Sequence, residues 1–175
     1  MVRLVLILVL FAIVALLIYA STRPSTFRTQ RSASIRAPAD KIFAIINDHN
    51  NWASWSPWQK LDPAMNSTIS NPSSGVGATY EWNGNSKAGS GRVTIIESVP
   101  PSKLRSHLEM FKPFKAENSV EFTLEQQGDS TNVSWEMSGK QNLMMKVMGI
   151  FVNCNELVGK DFEAGLANLK AIAEK

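Results

Sequence analysis

From Leu4 to Ala20 the chain reads LVLILVLFAIVALLIYA, 17 residues with no charge and no polar face. As a helix this stretch would be about 25 Å long at ~1.5 Å per residue, the short end of what crosses a bilayer, with Tyr19 at the interface. The pattern predicts a single-pass transmembrane anchor over residues 1–20. A cleaved secretory signal is the rival reading. It needs a shorter apolar region and small residues at both cleavage positions, and Ile18 stands where Ala20 would need a small partner.

Residues 21–26, STRPST, are a polar, proline-broken linker, and residues 27–175 are expected to fold as one unit. Phe27 to Arg36 alternates imperfectly, as a half-buried strand does, with Arg31 interrupting the apolar side. Pro38 opens a short helix whose apolar stripe is Ile42, Phe43, Ile45 and Ile46, and Asn47 to Asn51 is turn chemistry. Trp52, Trp55 and Trp58 follow at spacing three on a further helical turn that Pro57 keeps short. Further strands are predicted over residues 66–70, 78–82, 92–99, 104–110, 116–126 and 132–138. Their separators are turn-rich and brief, which implies hairpins and an antiparallel sheet.

Beyond Gly139 the period changes. Leu143, Met144, Val147, Met148, Phe151, Val152, Val158, Phe162, Leu166, Leu169 and Ile172 recur mostly at three and four, predicting one helix from Leu143 to Glu174, about 48 Å long. Gly149, Gly159 and Gly165 each cost such a helix ~1 kcal/mol relative to alanine, so close approach to the sheet or a bend is expected there. The layout is α+β: a curved antiparallel sheet of about seven strands around a long C-terminal helix, preceded by one transmembrane helix.

Charge refines this picture. Residues 21–60 carry six Lys/Arg and two Asp/Glu, whereas residues 61–175 carry eleven and thirteen. The basicity is membrane-proximal and the body slightly acidic, which excludes a nucleic-acid surface on electrostatic grounds. Arg23, Arg28 and Arg31 behind the apolar run favour a cytoplasmic location for the domain by the positive-inside tendency. One cysteine and two distant histidines leave little for a disulfide or zinc site, so no metal is expected, and Cys154 reads as a small buried hydrophobe.

Three segments, RSASIRAPADKIFAIINDHNNWASWSPW, GVGATYEW and GRVTIIESVPPSKL, resemble the polyketide cyclase/dehydrase family of the START-related (SRPBCC), birch-allergen-like superfamily. The resemblance covers about residues 27–174. It implies a helix-grip fold with a deep cavity between sheet and long helix, and it leaves open whether the occupant is carried, sensed or converted.

Strand alternation sketches the wall of such a cavity. Tyr80 and Trp82 oppose Glu81; Leu104, Leu108 and Met110 oppose Arg105, His107 and Glu109; Val120, Phe122 and Leu124 oppose Glu121 and Glu125; Val133, Trp135 and Met137 oppose Ser134 and Glu136. The helix adds Met144, Met148, Phe151 and, at i, i+4 from Phe151, the amide of Asn155. The candidate ligand-binding residues are therefore Tyr80, Trp82, Leu108, Met110, Phe122, Trp135, Met137, Met144, Met148, Phe151 and Asn155. Plain core packing competes for each of them. The tryptophans at 52, 55 and 58 divide between packing under the sheet, lining the cavity lip, dipping into the membrane interface and holding a protein partner.

An aromatic, Met-rich, nearly uncharged wall suits a lipid-like or polycyclic small molecule. Gly75-Val76-Gly77 lacks the rest of a dinucleotide loop, Gly89-Ser90-Gly91-Arg92 lacks the Lys-Ser/Thr of a phosphate loop, and no Gly-x-Ser-x-Gly elbow occurs, so no cofactor is expected. An enzyme here would rely on Tyr80 as general acid, or on Asn155 and Thr94 orienting an enolate. Binding without turnover is the favoured reading, a cyclase or dehydratase on an apolar substrate the alternative, with no particular protein partner indicated.

Overall fold

The apolar run forms a helix, α1, over Val2–Thr22, long and apolar enough to cross a membrane. The computed structural model describes residues 2–151 and 153–175; Val152 and the side chains of Lys60 and Cys154 lie outside the described residues, and with them the packing expected of Cys154. Nearly all of α1 is exposed; only Ala20 is fully buried. At its end, Ser21 Oγ and Thr22 Oγ1 donate to the carbonyls of Ile18 and Tyr19, which satisfies acceptors that the last helical turn leaves open.

Seven strands follow the predicted alternation: β1 (Thr26–Ile35), β2 (Asn66–Ile69), β3 (Thr79–Asn83), β4 (Ser90–Val99), β5 (Lys103–Lys112), β6 (Ala116–Gln127) and β7 (Ser130–Lys140). They form one antiparallel sheet in the order β1-β7-β6-β5-β4-β3-β2. Residues 36–60 leave the sheet as a short helix, α2 (Ala39–Asn47), a 3₁₀ turn at His49–Asn51, a single helical turn, α3 (Trp52–Trp55), and a 3₁₀ turn at Pro57–Lys60. Pro38 precedes α2 with extended backbone (φ −61°, ψ 145°), and Ile42, Phe43 and Ile46 bury its apolar face.

The long C-terminal helix departs from the sequence reading. It is two helices, α4 (Leu143–Phe151) and α5 (Cys154–Ala173). Asn153 has left helical geometry and its side chain accepts from Glu156 N at 3.2 Å, so it caps the second helix. The twenty residues of α5 span about 30 Å and bury Phe162, Leu166, Leu169 and Ala173 against the sheet. Gly159 and Gly165 fall where a side chain would meet the Arg31 guanidinium and the Trp135 ring, the close approach expected of them. Gly149 has open space and sits in the last turn of α4.

The core lies between sheet and α5. The Trp135 and Phe162 rings stack at 4.1 Å and 7°, Phe122 stacks on Trp135 at 4.8 Å, and Trp55 meets both Phe122 and Trp135 edge-on. Full burial of a ring such as Phe162 contributes about 1.5–3 kcal/mol, and each aromatic pair adds roughly 0.5–1.5 kcal/mol.

Candidate functional site

The core does not fill the space under the helix. A cavity of about 320 Å³ remains between the concave face of the sheet, α3, the 3₁₀ turn after it and α5. Alternation places its wall: inward residues of β3 (Tyr80, Trp82), β4 (Val93), β5 (Leu108, Met110), β6 (Asn118, Val120, Phe122) and β7 (Trp135, Met137). Trp52, Trp55 and Trp58 close one side, and Val158, Asp161 and Phe162 of α5 close another. The floor is the buried cluster of Trp55, Phe122, Trp135 and Phe162, while Lys87 alone among the lining residues is exposed to solvent, which puts the mouth beside it.

Seven of the predicted residues therefore line the cavity: Tyr80, Trp82, Leu108, Met110, Phe122, Trp135 and Met137. Four do not. Met144, Met148 and Phe151 belong to α4, which buries no residue, and all three are exposed. Asn155 is exposed as well, because α4 ends at Phe151 and α5 begins at Cys154, so the two residues do not share one helical phase. Thr94 points to the opposite face from Val93, among the outer charges, and cannot orient a substrate in the cavity. Arg105 also stands in that outer row, paired with Glu97 at 3.0 Å.

The three tryptophans pack inward. Trp52 donates its indole N–H to Ile46 O at 2.9 Å, and Trp58 meets Trp135 and Phe162 edge-on. Two polar residues escaped the sequence reading. Asn118 precedes Val120, Phe122 and Leu124 in the same inward alternation, so the period alone marks it as inward. Asp161 follows Val158 at spacing three on α5, which puts it on the cavity side.

The polar content of the site is small and specific. Asn118 is 8% exposed, packs over Gly139 of the neighbouring strand, and its Oδ1 finds no hydrogen-bond partner among the described residues. The indole N–H groups of Trp55 and Trp135 are likewise buried and unpartnered. Burial pushes the Asp161 carboxyl above its ordinary range, with the Trp58 indole opposing the shift. Tyr80 Oη reaches Gln59 Oε1 at 3.4 Å. An unmet buried polar atom costs about 1–3 kcal/mol, so a guest that satisfies one gains that much over a plain hydrocarbon.

Beside the cavity, His49 is 1% exposed, held edge-on to Trp52 at 4.5 Å, and both its ring nitrogens lack partners among the described residues. Burial lowers its pKa; the backbone at Thr79 and the charge of Asp48 pull the other way by less. A wider depression of about 420 Å³ lies elsewhere, bounded by Ser34, Arg36, Ser130, Lys170 and Glu174. Its groups already serve one another, Lys170 Nζ donating to Ser34 O and Arg36 N to Glu174 Oε1, and it reads as a solvated notch. Among the described residues no cluster of three or more His, Cys, Asp or Glu side chains is placed to hold a metal ion.

A seven-stranded antiparallel sheet gripping a C-terminal helix around an apolar hollow defines a class of helix-grip proteins. The sequence profile of the family described as "Polyketide cyclase / dehydrase and lipid transport" matches residues 26–174, and the chain belongs to that family. It is similar in fold to protein CV1439 from Chromobacterium violaceum, with a TM-score of 0.60 at 17% identity over 87% of this chain and 99% of that one. Against the di-domain ARO/CYC BexL from the BE-7585A biosynthetic pathway the TM-score is 0.63 at 14% identity, covering 90% of this chain and 53% of that one. Ara h 8.0201 gives 0.57 at 11% identity, over 85% and 97%. No curated protein matches the sequence.

Proposed function

We propose that this protein is a membrane-anchored module that holds a hydrophobic small molecule in the cavity between sheet and α5, without converting it. The observation that carries the proposal is the 320 Å³ hollow walled by aromatic, methionine and aliphatic side chains inside an otherwise close-packed core. Its volume lies at the low end of the roughly 300–1,000 Å³ typical of ligand sites, which favours a compact polycyclic or single-chain molecule over a two-chain lipid. Asn118 and the Trp135 indole, buried and unpartnered, favour a guest with at least one hydrogen-bonding group.

α1 supports the anchor: 21 residues, apolar, and exposed along nearly its whole length, so it has no protein core of its own to join. In this reading residues 1–20 anchor the chain, 21–26 link, and 27–175 bind. The basic residues after α1 favour the cytoplasmic side, although Arg28 and Arg31 are held in ion pairs with Glu136 and Glu163, which leaves Arg23 as the nearest arginine with no carboxylate partner among the described residues. A cyclase or dehydratase role, which family membership also suggests, would have Tyr80 alone of the residues first considered for chemistry, since Thr94 and Asn155 lie outside the cavity.

The test is saturable binding of a fluorescent naphthalene probe by the full-length protein in detergent. Val120 lines the cavity and is only half-buried, so Val120→Phe fills the space at little structural cost. The variant should keep its near-ultraviolet circular dichroism and lose probe affinity at least tenfold; unchanged affinity would place the probe elsewhere and remove the proposal.

A further inference from the structure

Strand register gathers one end of the domain at the foot of α1. Thr26 stands opposite Lys140, Asn66 opposite Asn83, Asn83 opposite Ser90, Ser90 opposite Lys112, and Met110 opposite Ala116. The starts of β1, β2, β4 and β6 and the ends of β3, β5 and β7 thus share one edge, and α1 enters that edge through Arg23 to Ser25. Gln141 N donates to Ser25 O at 2.8 Å, and α4 follows at once. α1 and α4 pack together, and Arg23 Nη1 donates to the Gly149 carbonyl at 2.8 Å, near the negative end of α4.

α4 has no core to face. Leu143, Met144 and Met148 are 49%, 48% and 41% exposed and Phe151 is 73% exposed. On the same edge Phe111, near the end of β5, and Phe114 of the β5–β6 turn are also exposed. The basic residues of this edge are Arg23, Lys112, Lys115, Lys140 and Lys146, and its carboxylates are Glu156, paired with Lys160 at 3.4 Å, and the row Glu81, Glu109 and Glu117, of which Glu81 is paired with Arg92 at 2.8 Å. Exposed apolar side chains interspersed with lysines, beside a helix of membrane-spanning length, match the chemistry of an anionic lipid surface. Lys87, at the cavity mouth, belongs to the β3–β4 turn of this same edge.

We propose that α4 and the β5–β6 turn dock on the anionic face of the bilayer that α1 crosses, with α4 lying in the interface, so that the cavity mouth opens at the lipid surface and its guest enters from the lipid phase. The proposal rests on the reading of α1 as an anchor, and the test separates the two.

Full-length protein is placed in nanodiscs of phosphatidylcholine and phosphatidylglycerol containing a photoactivatable phospholipid, and adducts are mapped by mass spectrometry. Adducts are expected both on α1 and on residues 143–151. Met148→Glu/Phe151→Glu, both at exposed positions, should reduce the second set several-fold and leave the first unchanged. Replacing phosphatidylglycerol by phosphatidylcholine should lower the label on 143–151 alone, and equal label in both lipids would overturn the charge part of the proposal. Adducts on α1 with none on 143–151 would overturn the docking and leave the anchor standing. Adducts on neither would overturn both.

Discussion

The Trp135 indole lies flat on the Phe162 ring, 4.1 Å between centroids with planes 7° apart, and this contact fixes how closely α5 sits on the sheet. Gly165, one turn further along α5, lets the same indole come close: a Cβ there would stand 2.6 Å from Trp135 Cζ3. The cavity wall and the helix seat therefore share one side chain, and pressure on either reaches the other.

Two glycines in the C-terminal helices separate propensity from packing. Gly149→Ala meets nothing within 4 Å and should stabilise the protein by up to about 1 kcal/mol, the helix-propensity difference. Gly165→Ala gains the same propensity but drives a methyl group into the Trp135 ring, an overpacking cost of about 1–3 kcal/mol that should win by about 1 kcal/mol. Urea unfolding of the detergent-solubilised protein, followed by tryptophan fluorescence, checks both. Stabilisation by Gly165→Ala would show that the ring moves freely and that the seat is not fixed.

Asn118 is expected to trade stability for recognition. Asn118→Leu removes a buried amide whose Oδ1 is unmet, so the ligand-free protein should gain about 1–2 kcal/mol. Binding of a hydroxylated polycyclic probe should weaken about tenfold, while its parent hydrocarbon is bound as before, since ~1.4 kcal/mol corresponds to a factor of ten. Paired titrations of the two probes measure this directly, and equal losses for both would assign Asn118 to the fold alone.

Stability should fall on the acid side through His49. Its pKa is lowered in the folded protein because burial disfavours the imidazolium, so the unfolded chain binds the extra proton first. The folded state therefore keeps its full advantage above the ordinary histidine range near 6.5 and loses it as pH drops from there toward the depressed value. Asp161, whose carboxyl is raised, contributes in the opposite sense at the carboxylate end. Thermal unfolding of wild type and His49→Phe between neutral and mildly acidic pH isolates the histidine: the variant should lose the slope in this range, and an unchanged slope would refute the assignment.

Much of this architecture was legible because period-two and period-3.6 patterns are local. Tyr80, Trp82, Leu108, Met110, Phe122, Trp135 and Met137 all reach the cavity, as alternation within single strands placed them. The error came where the reading carried one phase across a junction. Asn153 followed by Glu156 at its third position is a helix-start signal, and taking the residues around it as helix interior put Met144, Met148, Phe151 and Asn155 on a face they do not share with Phe162. Asn118 holds the same inward phase as Val120, but hydrophobic alternation marks only the apolar members of a strand face, so a polar residue in that phase goes unmarked. The hollow itself could not be derived from pattern, since the same inward residues could have met and closed it.

The most direct measurement is mass spectrometry of the gently extracted full-length protein. The account predicts one molar equivalent of a compact apolar molecule bearing at least one hydrogen-bonding group, absent from Val120→Phe prepared in the same way. Protein that emerges empty, and that takes up no apolar compound saturably once stripped of detergent, would contradict it.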